Sequence, residues 1–505
     1  MNSNNSYYLS SFFWSTLSKI LNAILGFISV PLLLGYYGKA DYGILSIATA
    51  CNGYMHLLDL GMNVGAVKFF SQWKAANKID LLQKVAHTNI TFYVIIAIIN
   101  ALGLIALGLY GEHLFSITHE QFLQLRICLF ILAIFSIFCW VTTAFNQLLI
   151  ADKQIGYTMK MQCAQIILKT LLVFIVLWYN ISLSIYFFFL TLIIALLVVP
   201  YSIKCLKDKL IDNLRLGFYW KEFKIVLIFS LSIFALSLFQ TTATQSRPII
   251  LSIFSTNGAN VVAEYRILEV IPIFIIMIGG TFSSIFLPKT SEMVSRNEKH
   301  EIQEFAYKWT TLTSILANIL CIPFIYSAKE VLTAYVGNEY SNLSIWLILW
   351  CITALIQIHT TPGNSLVLAY GKTKLLVITS AISCFISIII NASLCQIYGV
   401  GSAVIGYFIY VSIVIGLYYL IYYKKLMNLD RKKMTLCFLK PTILSVLILF
   451  GVSFIHIEEI NIIPSNERLN MIAICILKTC IWFIPYLIIL HIFKIINIKT
   501  IFIKK

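Results

Sequence analysis

Charge is the first thing in short supply. Asp, Glu, Lys and Arg make up only 11% of the 505 residues, and Asp plus Glu number just 21. A soluble domain carries about 25% charged residues. A chain this poor in charge, with 60% hydrophobic residues and a mean hydropathy of +0.88, has too little polar surface to face water, so most of its length must lie in lipid. Paired cysteines are missing too. The twelve Cys are scattered singly, with no CxxC and no His at metal-ligand spacing, and Cys51, Cys139, Cys163, Cys321 and Cys384 sit inside apolar runs. They read as small buried hydrophobes rather than disulfides or metal ligands. No GxxxxGK[ST] loop occurs, so ATP is not expected to drive the protein. No Ser-His-Asp set, paired carboxylates or metal cluster stands out, so neither an enzyme nor a cofactor is expected. The opening MNSNNSYYLSSFFW lacks a basic leader, and the apolar run after it lacks a small-residue cleavage site. It reads as a retained first helix and not a signal peptide.

What is present is a series of apolar runs. A spanning helix needs about 20 mostly apolar residues. Such runs lie near 10–37, 41–69, 84–110, 121–150, 156–179, 182–203, 223–254, 259–287, 305–328, 341–370, 373–396, 399–423, 436–456 and 470–493, which predicts an all-α polytopic membrane protein with fourteen transmembrane helices. The Lys and Arg residues divide accordingly. Of the 37, 28 fall in loops that this count places inside, while the outward side holds only Lys39, Arg266, Lys329 and Arg468. That split follows the positive-inside rule, with both termini cytoplasmic. It also accounts for the net charge of +16 as topogenic, so nucleic acid is not an expected partner. The longest inward connection, KCLKDKLIDNLRLGFYWKEFK at 204–224, mixes bases with Leu, Phe and Trp and is expected along the cytoplasmic lipid interface.

The chain also repeats itself. TTAFNQLLIA at 142–151 returns as TTPGNSLVLA at 360–369, an offset that also pairs Asn100 with Asn318; Pro31 and Pro248 match one residue out of step. GKADYGIL in one half is answered by ANVVAEYRIL in the other. Spans one to six and seven to twelve therefore read as two pseudo-symmetric copies in the same orientation, as in parallel transporter repeats. The implied domains are an N-lobe at 1–205, an interfacial linker at 206–222, a C-lobe at 223–425, and two extra helices with a cytoplasmic C-terminus at 426–505.

Ionisable residues within spans are costly and point to function. The bases are Lys19, Arg126, Lys169, Arg247 and Lys478, and the acids Asp59 and Glu269, with His56 and His359 adding titratable groups. Arg126 lies near a helix end and can snorkel. Span seven reads FQTTATQSRP: Gln240, Thr244 and their neighbours lead to Arg247 beside Pro248. So many donors cannot face lipid; they line water or form an interhelical seam. Span one places Ser15, Lys19 and Asn22 on one stripe. Arg266 and Glu269 are close enough in span eight to pair with each other. Asp59 is either a packing partner for a cation or an ion site. Mid-depth cations outnumber acids, and an anion such as phosphate is the natural ligand of such a cavity.

PLLLGYYGKADYGILSIATA at 31–50, LDLGMNVGAVKFF at 58–70 and the duplicated fourteen-span pattern resemble the Wzx-type polysaccharide flippases. These belong to the multidrug/oligosaccharidyl-lipid/polysaccharide (MOP) exporter superfamily. The resemblance implies a V-shaped, two-lobed bacterial inner-membrane transporter that moves an undecaprenyl-diphosphate-linked oligosaccharide by alternating access, for O-antigen or capsule synthesis. It implies a diphosphate site with Lys19, Arg247 and Arg266, extended to Gln240, Thr244, Asn22, Lys169 and His359. Coupling to H+ or Na+ would fall to Asp59 and Glu269. A polysaccharide polymerase and a chain-length regulator are implied partners. Span two carries no mid-span cation, which argues against the lipid II branch. The alternatives are a MATE-like ion-coupled exporter, against which spans thirteen and fourteen count, and a membrane polymerase.

Overall fold

The computed structural model describes residues 2–296, 298–455, 463 and 466–493. The described residues fold as helices joined by short turns, with no strand among them. Helices satisfy their own backbone hydrogen bonds, which lipid cannot do for them. In order they are α1 (Asn2–Met55), α2 (Met62–Ala75), α3 (Ile79–Tyr110), α4 (His119–Ala151), α5 (Ile155–Tyr179), α6 (Leu183–Ala195), α7 (Val198–Lys207), α8 (Trp220–Phe254) and α9 (Gly258–Ser295). They continue as α10 (Lys299–Tyr326), α11 (Ala328–Tyr335), α12 (Ser344–Ile358), α13 (Thr361–Ala369), α14 (Lys374–Tyr398), α15 (Val400–Leu417), α16 (Arg431–Ser453) and α17 (Glu467–Ile492). A π-helical segment, Tyr418–Leu426, prolongs α15.

Eleven stretches among the described residues are long and apolar enough to cross a membrane. Expected spans two, seven and eight are not among them. The first part of span two is joined to span one in the stretch Leu17–Asp59, which breaks at Gly38 (φ 83°) between the two expected spans. Span two itself is split where the chain turns through Leu60 and Gly61, both at positive φ, before α2 begins. Spans seven and eight correspond to α8 and α9, of 35 and 38 residues, each running over side chains outside the described set. Large apolar residues such as Leu102, Ile134, Ile389 and Phe450 are more than 60% exposed. That is ruinous in water and appropriate against acyl chains.

Packing divides the chain into two units, 1–263 and 264–505. In the first, α3 lies along α4, α1 packs on α5, and α8 packs on α1 and α2. Its core joins Met62 and Phe70 to Tyr93, Trp140, Phe145 and Phe223. In the second, α14 pairs with α15, and α10 with α12 and α16, around Phe286, Phe305, Leu366, Tyr418 and Tyr423. The packing boundary falls within α9, beyond the linker that separates the sequence repeats. The expected repeat boundary and the packing boundary group α8 differently, because glycines of α1 and α2 let α8 dock on the first unit.

Candidate functional site in the first unit and polar seams of the second

Docking of α8 is made possible by small residues. A Cβ on Gly65 would strike the Ser230 hydroxyl and one on Gly53 would stand 3.1 Å from Gln245 Oε1; beyond α8, one on Gly43 would overlap the Ala259 backbone at the start of α9. Close helix approach through Gly and Ser is the usual device in membranes. At this seam the polar run of α8 turns from exposed to buried. Gln240 is exposed. Thr244 returns its hydroxyl to the Gln240 and Thr241 carbonyls, at 3.2 and 2.9 Å, and Ser246 and Arg247 are buried. Arg247 is 4% exposed, and its Nε donates to the Ala243 carbonyl at 2.8 Å. Pro248, the next residue, has no N–H to offer the Thr244 carbonyl. The helix is therefore locally open where its one guanidinium is held.

Lys19 and Asn22 are exposed on α1; the Ser15 side chain lies outside the described set, as does that of His56. Lys169 is half-buried on α5, the helix that packs on α1. Asp59 sits in a polar chain. One carboxylate oxygen accepts from Tyr93 OH and the other from the Asn63 amide at 3.3 Å. Gln147 Nε2 donates to Tyr93 OH (2.5 Å) and to Asn63 Oδ1 (3.1 Å), and Gln147 Oε1 accepts from Asn89 at 2.9 Å. Tyr93, Asn89 and Gln147 are fully buried. Every donor in this chain points toward Asp59, the arrangement that stabilises a carboxylate with neutral partners.

The second unit holds the rest. Arg266 donates to Glu269 at 2.5 Å, and Tyr265 OH to the other oxygen of Glu269 at 3.0 Å, so these two side chains meet within one helix turn. His359 is buried where α12 gives way to α13, with Nε2 3.0 Å from Tyr419 OH and its ring stacked 4.0 Å from Phe438 of α16. Lys478 is 1% exposed; its Nζ donates to Glu330 Oε1 at 2.6 Å and lies over the Tyr326 ring. Of the candidate site residues, Lys19, Asn22, Asp59, Lys169, Gln240, Thr244 and Arg247 belong to the first unit and Arg266, Glu269 and His359 to the second.

Sequence reasoning missed two things here. Glu330 falls in an expected outward loop, yet it is buried; the signal was Lys478, a span lysine that required a counter-charge. Asn89 and Gln147 are neutral and far apart in sequence, and no spacing rule brings them together. Cys51, Cys163, Cys321 and Cys384 are buried as expected, and Cys139 is half-buried.

The same arrangement of helices occurs in solved transporters. A lipid II flippase in an inward-closed conformation matches with a TM-score of 0.67 over 94% of this chain and 97% of its own, at 16% identity. An inward-facing multidrug resistance MATE family transporter of the MOP superfamily matches with a TM-score of 0.63, covering 85% and 96% at 13% identity. A Vibrio cholerae MATE transporter gives 0.56, covering 85% and 99% at 13% identity. At these identities the likeness is one of fold. No protein of curated function matches the chain significantly. Residues 8–286, more than half of the sequence, match the family model described as polysaccharide biosynthesis protein. The chain is a multi-pass membrane protein that belongs to the polysaccharide biosynthesis protein family.

Proposed function

We propose that the protein carries an oligosaccharide repeat unit, linked to undecaprenyl diphosphate, from the cytoplasmic to the outer leaflet of a bacterial inner membrane, in the service of O-antigen or capsule assembly. The observation that supports this reading best is Arg247. A guanidinium withdrawn from water in an apolar chain is expensive to keep, and its position at a proline-opened turn, after a run of hydroxyl and amide groups, suits a group that must offset the desolvation of a diphosphate. Lys19, Arg266 and Lys169 are proposed to assist as further cations, with Asn22, Gln240, Thr244 and His359 as polar contacts. The topology proposed has fourteen spans and both termini in the cytoplasm. Asp59 and Glu269 are the proposed coupling acids, for H+ or Na+.

The test is surface polysaccharide in a deletion strain complemented with variants at matched protein level. Arg247→Ala should abolish export and leave sugar units on the cytoplasmic lipid. Arg247→Lys should restore only part of it, since lysine keeps the charge but loses the planar fork that grips phosphate. Full export by Arg247→Ala would remove the residue from the site and the anionic substrate with it. The fold shared with MATE transporters keeps a small-molecule exporter as the second reading. That reading gains if deletion raises drug sensitivity while lipid-linked sugars do not accumulate.

A further inference from the structure

The connection between α7 and α8 is laced to one face of α3. Gln83 Nε2 donates to the Lys209 carbonyl at 3.0 Å, Gly217 N donates to Thr91 Oγ1 at 2.9 Å, and Tyr219 N donates to Thr88 Oγ1 at 2.9 Å. At the centre stands His87. Its Nε2 lies 2.5 Å from Asp212 Oδ1 and its Nδ1 lies 2.8 Å from the Arg215 carbonyl. Gly217 passes so close that a Cβ there would come within 2.6 Å of His87 Cβ. Residues 83, 87 and 91 share a helix face, so the contact is a fitted strap rather than a loose loop at the lipid interface. Leu214, Leu216, Phe218 and Tyr219 on the strap, and Trp220 at the start of α8, are exposed apolar groups of the kind expected there.

Both partners of the imidazole can only accept. A backbone carbonyl has no proton to give. The exposed Asp212 carboxyl is held below the usual carboxylate range, chiefly by its hydrogen bond from His87, so it too is an acceptor at neutral pH. A neutral imidazole donates from one nitrogen and presents a lone pair at the other. It would therefore face either the carboxylate or the carbonyl with like polarity, at a side chain 11% exposed. The strap as seen requires an N–H on both nitrogens. Imidazole is also the side chain whose charge changes between about pH 5 and 8.

We propose that the strap 208–219 is a pH-gated latch, fastened to α3 while His87 carries protons on both ring nitrogens and released when it loses one. The other charged groups at this end are Asp208, Lys209 and Arg215 on the strap, Lys204 paired with Asp208, Lys84 one turn away on α3, Lys221, Glu222 and Lys224 at the start of α8, and the Lys74–Asp152 pair joining α2 to the end of α4. Protonation favours the fastened form, so the latch holds at low pH and opens as pH rises. The inference is independent of the transported substrate, since it concerns the covalent bridge between the sequence repeats.

Trypsin reads the latch directly, because Lys209 and Arg215 are exposed side chains on a strap whose backbone must leave α3 to be cut. Full-length protein in detergent is digested at about pH 6 and about pH 8.5, either side of the imidazole range. Cleavage at Lys209 and Arg215 is scored against Lys299, which corrects for the protease's own pH dependence. The ratio should rise about tenfold across that interval, the scale of one charge-assisted hydrogen bond. In His87→Gln it should be high at both pH values. Should that variant fail to fold, Asp212→Asn, on the exposed strap, should likewise raise cleavage at low pH. A wild-type ratio flat with pH, or an equal rise in His87→Gln or Asp212→Asn, overturns the proposal.

Discussion

The phrase written twice in the sequence has two different fates. In the first unit TTAFNQLLIA is the last part of α4, one unbroken helix from His119 to Ala151. In the second unit TTPGNSLVLA straddles a break: α12 stops at Ile358 and α13 begins at Thr361. The decisive difference is Ala144-Phe145 against Pro362-Gly363. Ala144 and Phe145 are core residues. Pro362 removes a backbone donor and pre-sets a first helical turn, and Gly363 leaves room for Tyr423, 3.0 Å from where a Cβ would stand. Groups near the break are taken up by side chains: Thr360 bonds the Gln357 carbonyl at 2.9 Å, and Tyr418 donates to Asn364 at 3.0 Å. Asn100 and Asn318 diverge in the same way. Asn100 ties α3 to Ser136 of α4, whereas Asn318 ties α10 to Thr442 of α16. The helices beyond the repeat, α16 and α17, are thus held by repeat positions that the first unit uses internally. His359 on Phe438 and Lys478 on Glu330 extend that attachment.

The largest effect should come from cutting that attachment at its charged end. Lys478→Met leaves Glu330 a buried carboxyl without its ammonium, at a cost of about 3–5 kcal/mol, read as a fall in thermal unfolding temperature in detergent. Lys478→Met with Glu330→Leu should recover most of the loss, because the pair replaced by apolar groups need not be destabilising. A double variant as weak as the single one would mean that the two residues hold something other than each other.

Next come the helix exchanges. Ala144→Pro puts into α4 the break that α12 and α13 tolerate, inside a helix whose core is packed around Ala144 and Phe145; the cost should be about 3 kcal/mol or more. Pro362→Ala should cost well under half of that, since the surrounding tyrosines still define the turn. If both substitutions cost the same, the break belongs to the proline alone and not to its surroundings.

These contrasts mark where the sequence was legible. Hydropathy and charge report on the lipid boundary, residue by residue, so the helices at 79–110, 119–151 and 374–398 fall where apolar runs predict them. Gly38 lies between two expected spans, where α1 breaks, whereas the expected span 341–370 runs through the break at 359–360 without marking it. Partner choice was not legible. Nothing in the spacing of Lys478 names Glu330, and nothing in LDLGMNVG tells that Asp59 receives a tyrosine. Nothing in its own stretch of sequence singles out His87, because the strap that gives it meaning lies over 120 residues away. Interhelical hydrogen bonds depend on rotation and depth of helices, which one sequence encodes only jointly.

The smallest predicted effect is the finest test of the divergence between the units. Asn100 donates to Ser136 at 2.9 Å and Asn318 to Thr442 at 3.1 Å; both are buried to within 1%. Replacing either by Ala removes a buried hydrogen bond and should cost about 1–2 kcal/mol, so their total losses will not separate the units. Coupling energies will. In a double-mutant cycle, Asn318→Ala should couple to Thr442→Val by about 0.5 kcal/mol or more, and Asn100→Ala to Ser136→Ala by a similar amount. Asn318→Ala should also raise the accessibility of a cysteine placed at Ser445, a buried position on α16, whereas Asn100→Ala should not. A change at Ser445 in both variants, or in neither, would mean that α16 is not held through this position, and the contrast between the two asparagines would lose its structural consequence.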